Sequence, residues 1–273
     1  AIDTADAYSR WAPGNSGGES ETISGNWLAR NPSRRDRVHI LTKVGSGMPA
    51  TNGKKTLAKR WILQEVEESL RRLRTETIDL YQSHWPDPDT PHEETLSAYD
   101  ELLRAGKVRA IGASNFSAEQ LAEALRVADA TGLPRYTTLQ PEYNLYDRAS
   151  YEGALRDLAI REGLGVITYY GLASGFLSGK YRSRDDLAKS ARGASVEKYL
   201  NARGMRILAA LDDVGGRRSA QPAEVALAWL MQRDGVTAPI ASATSREQLA
   251  SLVHAAELHL TAEDVATLDR ASS

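Results

Sequence analysis

Apolar and β-branched residues are concentrated in short runs that alternate along the chain with longer amphipathic segments. Short runs rich in Val, Ile and Tyr are typical of strands buried in a sheet. The pattern therefore predicts strands over 38–43, 78–83, 108–113, 136–140, 165–169 and 236–240, preceded by a short stub at 1–3.

The segments between these runs have the period of amphipathic helices. In 61–73, apolar residues recur every three or four positions and the opposite face is charged. The same spacing predicts further helices over 92–105, 118–130, 222–233 and 262–271. Ser117 and Gln120 have the spacing of a capping box, Pro222 suits a first helical position, and Thr261 precedes the last helix.

The alternation of strands and helices, without a break in composition, predicts one α/β domain over 1–273 built on a parallel sheet. Most predicted strands start about 30–40 residues apart, which is the length of one βα unit. No Gly-x-Gly-x-x-Gly or phosphate-loop pattern follows a strand, so a (β/α)8 TIM barrel is favoured over a Rossmann sheet. Seven strands are one too few for this barrel, so we expect a first β/α unit to precede Ala1 in the intact gene product. The long interval before 236 predicts a functional loop over 171–196.

Composition narrows the classes of function. The chain has 34 basic and 36 acidic residues and a net charge of −2, which argues against nucleic-acid binding. It has no cysteine, which removes disulfides and thiolate sites and fits a reducing, cytoplasmic compartment, although secreted chains can also lack cysteine. Neither a membrane span nor a signal peptide is predicted.

The five histidines have no paired ligand spacing, so we predict no metal site. The basic run 71–74 closes a helix, whose dipole it complements.

Four ionisable residues lie at or just after the carboxyl ends of successive predicted strands, where barrel enzymes place their chemistry. Asp3 and Lys43 end two strands, His84 follows a third, and Tyr8 follows Asp3 after a short loop. A free tyrosine has a pKa near 10, and a buried cation beside it favours the phenolate. Lys43 is placed to act in this way, with Asp3 as its counter-charge, and His84 is placed to hydrogen-bond a substrate oxygen. The set predicts proton donation to an oxygen on which negative charge develops, as in carbonyl reduction.

The segments around these residues, 2–8, 41–43 and 82–84, resemble signature segments of the aldo-keto reductase family. The likeness continues in family order through 112–116, 139–144 and 175–181 and covers essentially the whole chain. It implies a (β/α)8 barrel and an oxidoreductase that reduces an aldehyde or ketone to an alcohol by hydride transfer, with Tyr8 as general acid and Asp3, Lys43 and His84 in support. It implies NADPH as cofactor, with NADH still open, and a small-molecule carbonyl as substrate. We expect no nucleic-acid or membrane partner and a monomer or small homo-oligomer.

The resemblance also implies a cofactor site. Ser114, Asn115 and Gln140 fall where the family binds the nicotinamide carboxamide, and Tyr169 falls where an aromatic ring stacks on the nicotinamide. The segment that wraps the pyrophosphate is matched by Leu172, Ala173, Ser174 and Gly175, preceded by Tyr170 and Gly171, with Lys180 and Arg192 as added positive charge. The adenosine ribose and its 2′-phosphate are matched by Ser242, Ala243, Thr244, Arg246 and Gln248.

Three departures from the family pattern keep the cofactor preference open. Tyr170 and Gly171 replace a common Ser-Pro pair, Ser242 replaces a frequent Gly or Lys, and Leu252 stands where an Asn often contacts the adenine. A helix start with hydroxyls and an Arg still suits an anion.

Aromatic residues on the predicted loops suggest the substrate pocket. Trp11 and Trp85 follow Tyr8 and His84 closely, and we expect them to wall an apolar cleft, with Tyr143 and Tyr146 as additions. The competing interpretation is that these rings only pack on neighbouring loops.

Two other functions stay open on the sequence alone. One is a nucleotide-binding regulatory or channel-associated subunit with little turnover. The other is a phosphate-handling aldolase or isomerase barrel that binds no nicotinamide nucleotide.

Overall fold

The computed structural model describes residues 1–189 and 193–273, in which strands and helices alternate. The strands are β1 (Ile2–Asp3), β2 (Ile40–Val44), β3 (Leu80–Ser83), β4 (Ile111–Ser114), β5 (Thr138–Gln140), β6 (Gly165–Thr168) and β7 (Ala238–Pro239). The helices are α1 (Glu19–Ala29), α2 (Lys59–Leu73), α3 (His92–Arg104), α4 (Ala118–Thr131), α5 (Ala154–Arg161), α6 (Gly193–Val196), α7 (Ala202–Arg218), α8 (Pro222–Met231), α9 (Arg246–Glu257) and α10 (Ala262–Ser272).

The seven predicted strands are confirmed, although most are shorter than their apolar runs. Strand β4 shows the reason, because Val108 forms only an isolated bridge with Ile78 and the continuous ladder begins at Ile111. An apolar run marks where a chain is buried, whereas a strand also needs an unbroken row of hydrogen bonds to its neighbour.

Residues 1–140 form a compact unit in which β1 to β5 lie side by side in chain order, all parallel. Every residue of β2, β3 and β4 is buried. Burial of every residue is expected where both faces of a parallel sheet are covered. The predicted parallel α/β arrangement is confirmed in this unit.

The helices of this unit follow from local sequence signals. The predicted apolar stripe of α2 is the buried face of that helix, which packs against β2 and against α1 and α3. Helix α4 begins with the predicted capping box: the Ser117 backbone N–H donates to Gln120 Oε1 at 2.9 Å, and the Gln120 N–H donates to Ser117 Oγ at 3.2 Å. It ends at Gly132, which has a positive φ of 69°.

Residues 141–273 form a second compact unit, in which β6 and β7 are parallel neighbours. Trp229 is fully buried among its helices, and its indole N–H donates to Asp269 Oδ1 at 3.1 Å. Arg148 and Arg233 both pair with this same carboxylate at 3.0 Å. The prediction of one domain over 1–273 and the expectation of a preceding β/α unit stay predictions.

The interval between β6 and β7 differs from the predicted long loop. Two short 3-10 helices, Ala173–Ser178 and Arg184–Lys189, and α6 lie within 171–196, and the 17-residue helix α7 follows. Much of the long interval is therefore an additional helix. Helix α7 was not predicted, although its buried residues, among them Ile207, Leu211 and Val214, have helical spacing.

A buried ion-pair cluster lies in the first unit at the end of α2. Arg72 is only 13% exposed, donates to Glu21 Oε2 at 2.7 Å and also pairs with Glu65. Thr42 on β2 donates to Glu21 Oε1 at 2.6 Å. The basic run 71–74 closes α2 as predicted, and Arg72 has a further role that the sequence did not indicate, because it joins α1, α2 and β2.

A third carboxyl group lies near this cluster without a hydrogen bond at one of its oxygens. Asp6 is fully buried; its Oδ1 accepts from the Ala7 N–H at 2.6 Å, while Oδ2 has no partner in the described residues. Burial raises the pKa of Asp6 well above its usual range, and the charges of Glu65 and Glu21 raise it further. The protonated form of Asp6 is favoured, since two buried carboxylates already share a single guanidinium.

No helix in the described ranges is long and apolar enough to span a membrane.

Replacing Arg72 should destabilise the fold far more than replacing its neighbour Arg71. Arg72→Met leaves two buried carboxylates without their cation, which costs about 3–5 kcal/mol. Within the described residues, Arg71 pairs only with Glu68, on the surface, so Arg71→Met should change the free energy of unfolding by at most about 1 kcal/mol. Urea unfolding at pH 7 measures both, and equal losses in the two variants would contradict a structural role for the Arg72 cluster.

Candidate active site

The carboxyl ends of β1, β2 and β3 bring together the predicted tetrad of Asp3, Tyr8, Lys43 and His84. In the parallel register, Asp3 is paired with Leu41, and Lys43, two residues further along β2, is paired with Gln82 of β3. Alternate residues of a strand point to the same face. The strand ends that the sequence predicted as a common edge do meet.

Lys43 is the centre of this group. Its ammonium is fully buried and donates to Asp3 Oδ2 at 2.7 Å, to the Thr4 carbonyl at 2.9 Å and to the Tyr8 hydroxyl at 2.9 Å. An ammonium group has three donors, so each of them is used. Burying a charge is tolerated when it is paired and fully hydrogen-bonded, and Asp3 supplies the opposite charge.

Tyr8 is held by a tight turn that follows β1. The Asp6 N–H donates to the Lys43 carbonyl at 3.2 Å, and the Tyr8 N–H donates to the Ala5 carbonyl at 3.2 Å. The next residue, Ser9, has a positive φ of 74°, a conformation that is uncommon for a residue with a side chain. This turn fixes the phenol against Lys43, and the Tyr8 ring meets the His84 ring edge-on at 5.7 Å.

His84 follows β3 directly and is anchored through its backbone. Its N–H donates to the Val44 carbonyl at 2.8 Å, and its carbonyl accepts from Asn115 Nδ2 at 2.9 Å. Burial, and then the charges of Lys43 and Lys55, lower the pKa of His84 to about 3. The imidazole is therefore expected to be neutral near pH 7, when it can donate or accept a hydrogen bond. Nδ1 is buried without a partner among the described residues.

The three residues predicted to bind the nicotinamide carboxamide are close to the tetrad and support it. Gln140 Nε2 donates to Asp3 Oδ1 at 2.9 Å, and Ser114 Oγ donates to the Gln140 carbonyl at 2.9 Å. Asn115 contacts His84, as described above, and has a positive φ of 64°. The structure brings all three to the edge where Lys43 and Asp3 lie.

Gln82 is a member of this group that the sequence analysis missed as a site residue. It is fully buried on β3 beside Lys43, and its Nε2 has no partner in the described part of the chain, while Gln140 Nε2 approaches its Oε1 at 3.4 Å. The signal was available, because Gln82 opens the segment 82–84 and is a polar residue in a strand that was predicted to be buried. A buried amide group without a partner is unfavourable unless a bound group satisfies it.

The predicted pyrophosphate segment lies in the second unit and has unusual backbone geometry. Tyr170, Ala173 and Ser174 have positive φ values of 55°, 48° and 58°. Gly175 has a φ of 97°, and a Cβ atom added to it would lie 3.7 Å from Lys180 Nζ. Left-handed backbone in residues other than glycine is concentrated at functional sites. A concave backbone beside an ammonium group suits an anion.

Gly171 and Tyr170, which the resemblance also implies as cofactor residues, have packing contacts in the second unit. A Cβ atom on Gly171 would meet Leu230 Cδ1 at 2.9 Å, so its small size serves packing against α8. Tyr170 is 55% exposed, and its ring meets Tyr169 edge-on at 5.1 Å. Arg192 lies outside the described residues.

The residues predicted to bind the adenosine ribose and its 2′-phosphate lie at the start of α9, where the chain is exposed. The Thr244 N–H donates to Gln248 Oε1 at 2.8 Å, and its hydroxyl donates to the same oxygen at 3.1 Å. Ser245 caps the helix by accepting from the Gln248 N–H. Arg246 is the first residue of α9, and Ser242 and Ala243 precede the capping residues. Gln248 therefore shapes the turn, while the helix start and Arg246 face solvent.

The four aromatic residues expected at the substrate pocket differ from one another. The Trp85 ring is stacked on the His84 ring at 6.1 Å, whereas Trp11 is 77% exposed and meets Tyr8 edge-on at 6.0 Å. Tyr143 is buried, donates to Glu152 Oε1 at 2.6 Å and packs against Trp229. The suggestion that Tyr143 lines a substrate cleft is therefore wrong, because it belongs to the core of the second unit.

Tyr146 also packs within the second unit. Its ring meets Tyr199 edge-on at 4.8 Å, and its hydroxyl accepts from Asn201 Nδ2 at 2.7 Å.

In the ranges described, no three His, Cys, Asp or Glu side chains are grouped so as to hold a metal ion.

The chain is similar to a known family and to several known proteins. A model of the aldo/keto reductase family matches residues 1–273. "Protein tas" of Escherichia coli is 32% identical, over 98% of this chain and 84% of its own length. "Aldo-keto reductase YhdN" of Bacillus subtilis is 34% identical, over 96% and 76%. A "probable voltage-gated potassium channel subunit beta" of Arabidopsis thaliana is 31% identical, over 91% and 75%.

The neutral state of His84 should make the fold less stable in acid. The unfolded chain binds a proton near pH 6.5, whereas the folded imidazole does not until about pH 3. The unfolded state therefore binds more protons in this window, so the free energy of unfolding falls as the pH falls. For this residue the loss between pH 7 and pH 5 is about 2 kcal/mol. Urea unfolding should show a smaller loss over this range in His84→Gln, and an equal loss would contradict a neutral buried imidazole.

Proposed function

This chain belongs to the aldo/keto reductase family, and from that premise we propose that it is an NADPH-dependent oxidoreductase that reduces an aldehyde or ketone to an alcohol. The family implies a (β/α)8 barrel and a small-molecule carbonyl substrate, and its members use NADPH or NADH. In the proposed reaction, Tyr8 is the general acid, Lys43 and Asp3 support it, and His84 orients the carbonyl.

The observation that carries this proposal is the set of contacts around Lys43. Its ammonium lies 2.9 Å from the Tyr8 hydroxyl and 2.7 Å from Asp3 Oδ2, and it is shielded from water. When bound, the reduced nicotinamide supplies the hydride. As negative charge develops on the substrate oxygen, Tyr8 donates its proton to that oxygen. The phenolate that remains is stabilised by the ammonium beside it, because opposite charges interact strongly where water is excluded.

Asp3 and His84 have supporting roles in this scheme. Asp3 holds Lys43 by charge, and Gln140 holds Asp3 on its other oxygen. Because His84 is neutral, it donates or accepts a hydrogen bond at the substrate oxygen without adding a second cation to the site. A neutral imidazole also leaves Tyr8 as the proton donor.

The residues present fit a nicotinamide cofactor. The unpaired Gln82 Nε2 and His84 Nδ1 are buried polar atoms at the edge where Ser114, Asn115 and Gln140 lie, and a bound carboxamide is a group that satisfies such atoms. We propose that Tyr169 stacks on the nicotinamide ring and that Leu172 to Gly175, with Lys180, bind the pyrophosphate. The exposed start of α9 with Arg246 supports binding of a 2′-phosphate, which favours NADPH over NADH.

A second candidate function is supported by one comparison. The relative named as a probable voltage-gated potassium channel subunit beta shares 31% identity with this chain, so a nucleotide-binding subunit with little turnover is the alternative. The assembled contacts among Tyr8, Lys43 and Asp3 support turnover. The aldolase or isomerase interpretation is not retained, because the whole chain matches the aldo/keto reductase family.

Removing the Tyr8 hydroxyl should abolish most turnover without loss of cofactor binding. We expect Tyr8→Phe to lower kcat by about 10²–10⁴-fold, which is typical for loss of a general acid. The measurement is NADPH oxidation with a panel of aldehydes and ketones, together with quenching of protein fluorescence by NADPH.

Tyr81→Phe is the matched control for this variant. The Tyr81 hydroxyl is buried in the same unit and has no partner in the described residues, so its loss should leave kcat close to that of the wild type. Equal rates in Tyr8→Phe and wild type would refute the role of Tyr8. Tight NADPH binding with no turnover of any carbonyl would favour the regulatory subunit.

Trp85 should contribute to substrate preference. Its ring is stacked beside His84, and a large apolar ring contributes to binding through the area that it buries. Trp85→Ala should raise KM for a bulky aromatic aldehyde more than for propanal and leave NADPH affinity unchanged. Trp11→Ala, at a far more exposed ring, should have a smaller effect. A uniform change across substrates would show that Trp85 has a structural role only.

A further inference from the structure

A lysine side chain lies directly over the aromatic ring that neighbours His84. Lys55 Nζ is 3.6 Å from the centre of the Trp85 ring, and the Trp85 ring is stacked on His84 at 6.1 Å between centroids. The ammonium is therefore within about 10 Å, one Debye length at 0.1 M salt, of the imidazole. A cation–π contact uses the face of the ring and leaves the N–H donors of the ammonium available.

Lys55 differs from the lysine beside it in its partners. Lys54 Nζ is paired with Asp89 Oδ2 at 2.9 Å, and this contact raises the pKa of Lys54. Lys55 has no carboxylate within ion-pair distance in the described part of the chain, although it is adjacent to Lys54 and also exposed. Two consecutive lysines thus differ sharply: one is neutralised by an acid, and the other remains a positive charge at the candidate active site.

The buried carboxylate of Asp87 joins the loop that carries Lys55 to the loop that carries Trp85. Asp87 is buried, and its Oδ2 accepts from the Leu57 N–H at 2.8 Å and from Thr90 Oγ1 at 2.7 Å. Its Oδ1 accepts from the Asp89 N–H at 3.0 Å. Asp87 lies two residues after Trp85, and Leu57 lies two residues after Lys55. These bonds hold the two loops together, so the backbone that carries Lys55 is kept near Trp85.

We propose that Lys55 is a specificity-determining residue that binds an anionic group of the substrate, so that the preferred carbonyl compounds carry a carboxylate on an aromatic ring. The ring of such a compound packs against Trp85, its carbonyl group reaches Tyr8 and His84, and its carboxylate meets the Lys55 ammonium. This inference rests on the proposed carbonyl reduction and names the class of substrate. A charge-assisted hydrogen bond of this kind is stronger than a neutral one.

The test compares an acid with its neutral ester. Reduction of 4-formylbenzoate and of its methyl ester by NADPH is measured with wild type, Lys55→Met and Lys54→Met at low ionic strength. We expect Lys55→Met to lower kcat/KM for the acid by roughly tenfold, mainly through KM, and to change that for the ester by less than about twofold. Lys54→Met is the matched control, and it should leave the ratio of the two substrates near that of the wild type. Added salt should reduce the wild-type preference for the acid.

Each other outcome overturns a specific statement. Equal losses for acid and ester in Lys55→Met, or equal effects of Lys54→Met, would show that Lys55 does not recognise the carboxylate. A rise in the Kd of NADPH in Lys55→Met would assign Lys55 to the cofactor phosphates instead. If the wild type reduces neither compound nor any other carbonyl, the proposed function itself fails. If it reduces the ester as well as the acid and Lys55 has no effect, only the inference on specificity fails.

Discussion

The buried ammonium of Lys43 is the constraint on which the rest of the active-site geometry depends. A charge that is fully shielded from water needs an opposite charge and a complete set of acceptors, and Asp3, Thr4 and Tyr8 supply them. These acceptors come from β1 and the turn after it, so Lys43 determines where the N-terminal segment of the chain lies. The same contacts that make the buried charge tolerable also place a phenol against a cation.

Behind this site the protein has a second buried charge cluster, which supports the first. Arg72 joins α1, α2 and β2 through Glu21 and Glu65, and Asp6 lies near them, where burial raises its pKa well above the usual range. The Asp6 backbone in turn donates to the Lys43 carbonyl. The turn that carries Tyr8 is thereby held between two ionic groups. Such an arrangement explains why Ser9 keeps an uncommon left-handed backbone, since the surrounding contacts outweigh its cost.

The strands and the loops of the first unit have different roles. Asp3 and Lys43 lie on strands and His84 directly follows one, and the ladder of β1 to β4 holds them in register. Trp85 and Lys55, which we propose to face a substrate, lie on loops that Asp87 joins to each other. In barrel enzymes the catalytic residues usually lie at strand ends, and the residues that set the substrate preference usually lie on loops. A change in a loop is therefore expected to alter the substrate while the proton donor stays in place.

The sequence by itself determined the seven strands, the capping box at Ser117, the parallel arrangement of β1 to β5 and the four residues of the tetrad. It could do so because hydrophobic period and strand-end position are local properties, and the recurrence of ionisable residues at strand ends reveals a common edge. Only the tertiary structure decided which polar residues near that edge have partners. Among the described residues, Gln82 Nε2 has no partner. Elsewhere in the fold, Arg72 is the centre of a buried ion-pair cluster, and Tyr143 is a core residue of the second unit. The pairing of Lys54 and the freedom of Lys55 likewise depend on where Asp89 and Trp85 lie. These contacts join residues distant in the chain, and the strand register and burial that create them are set by packing of the whole fold.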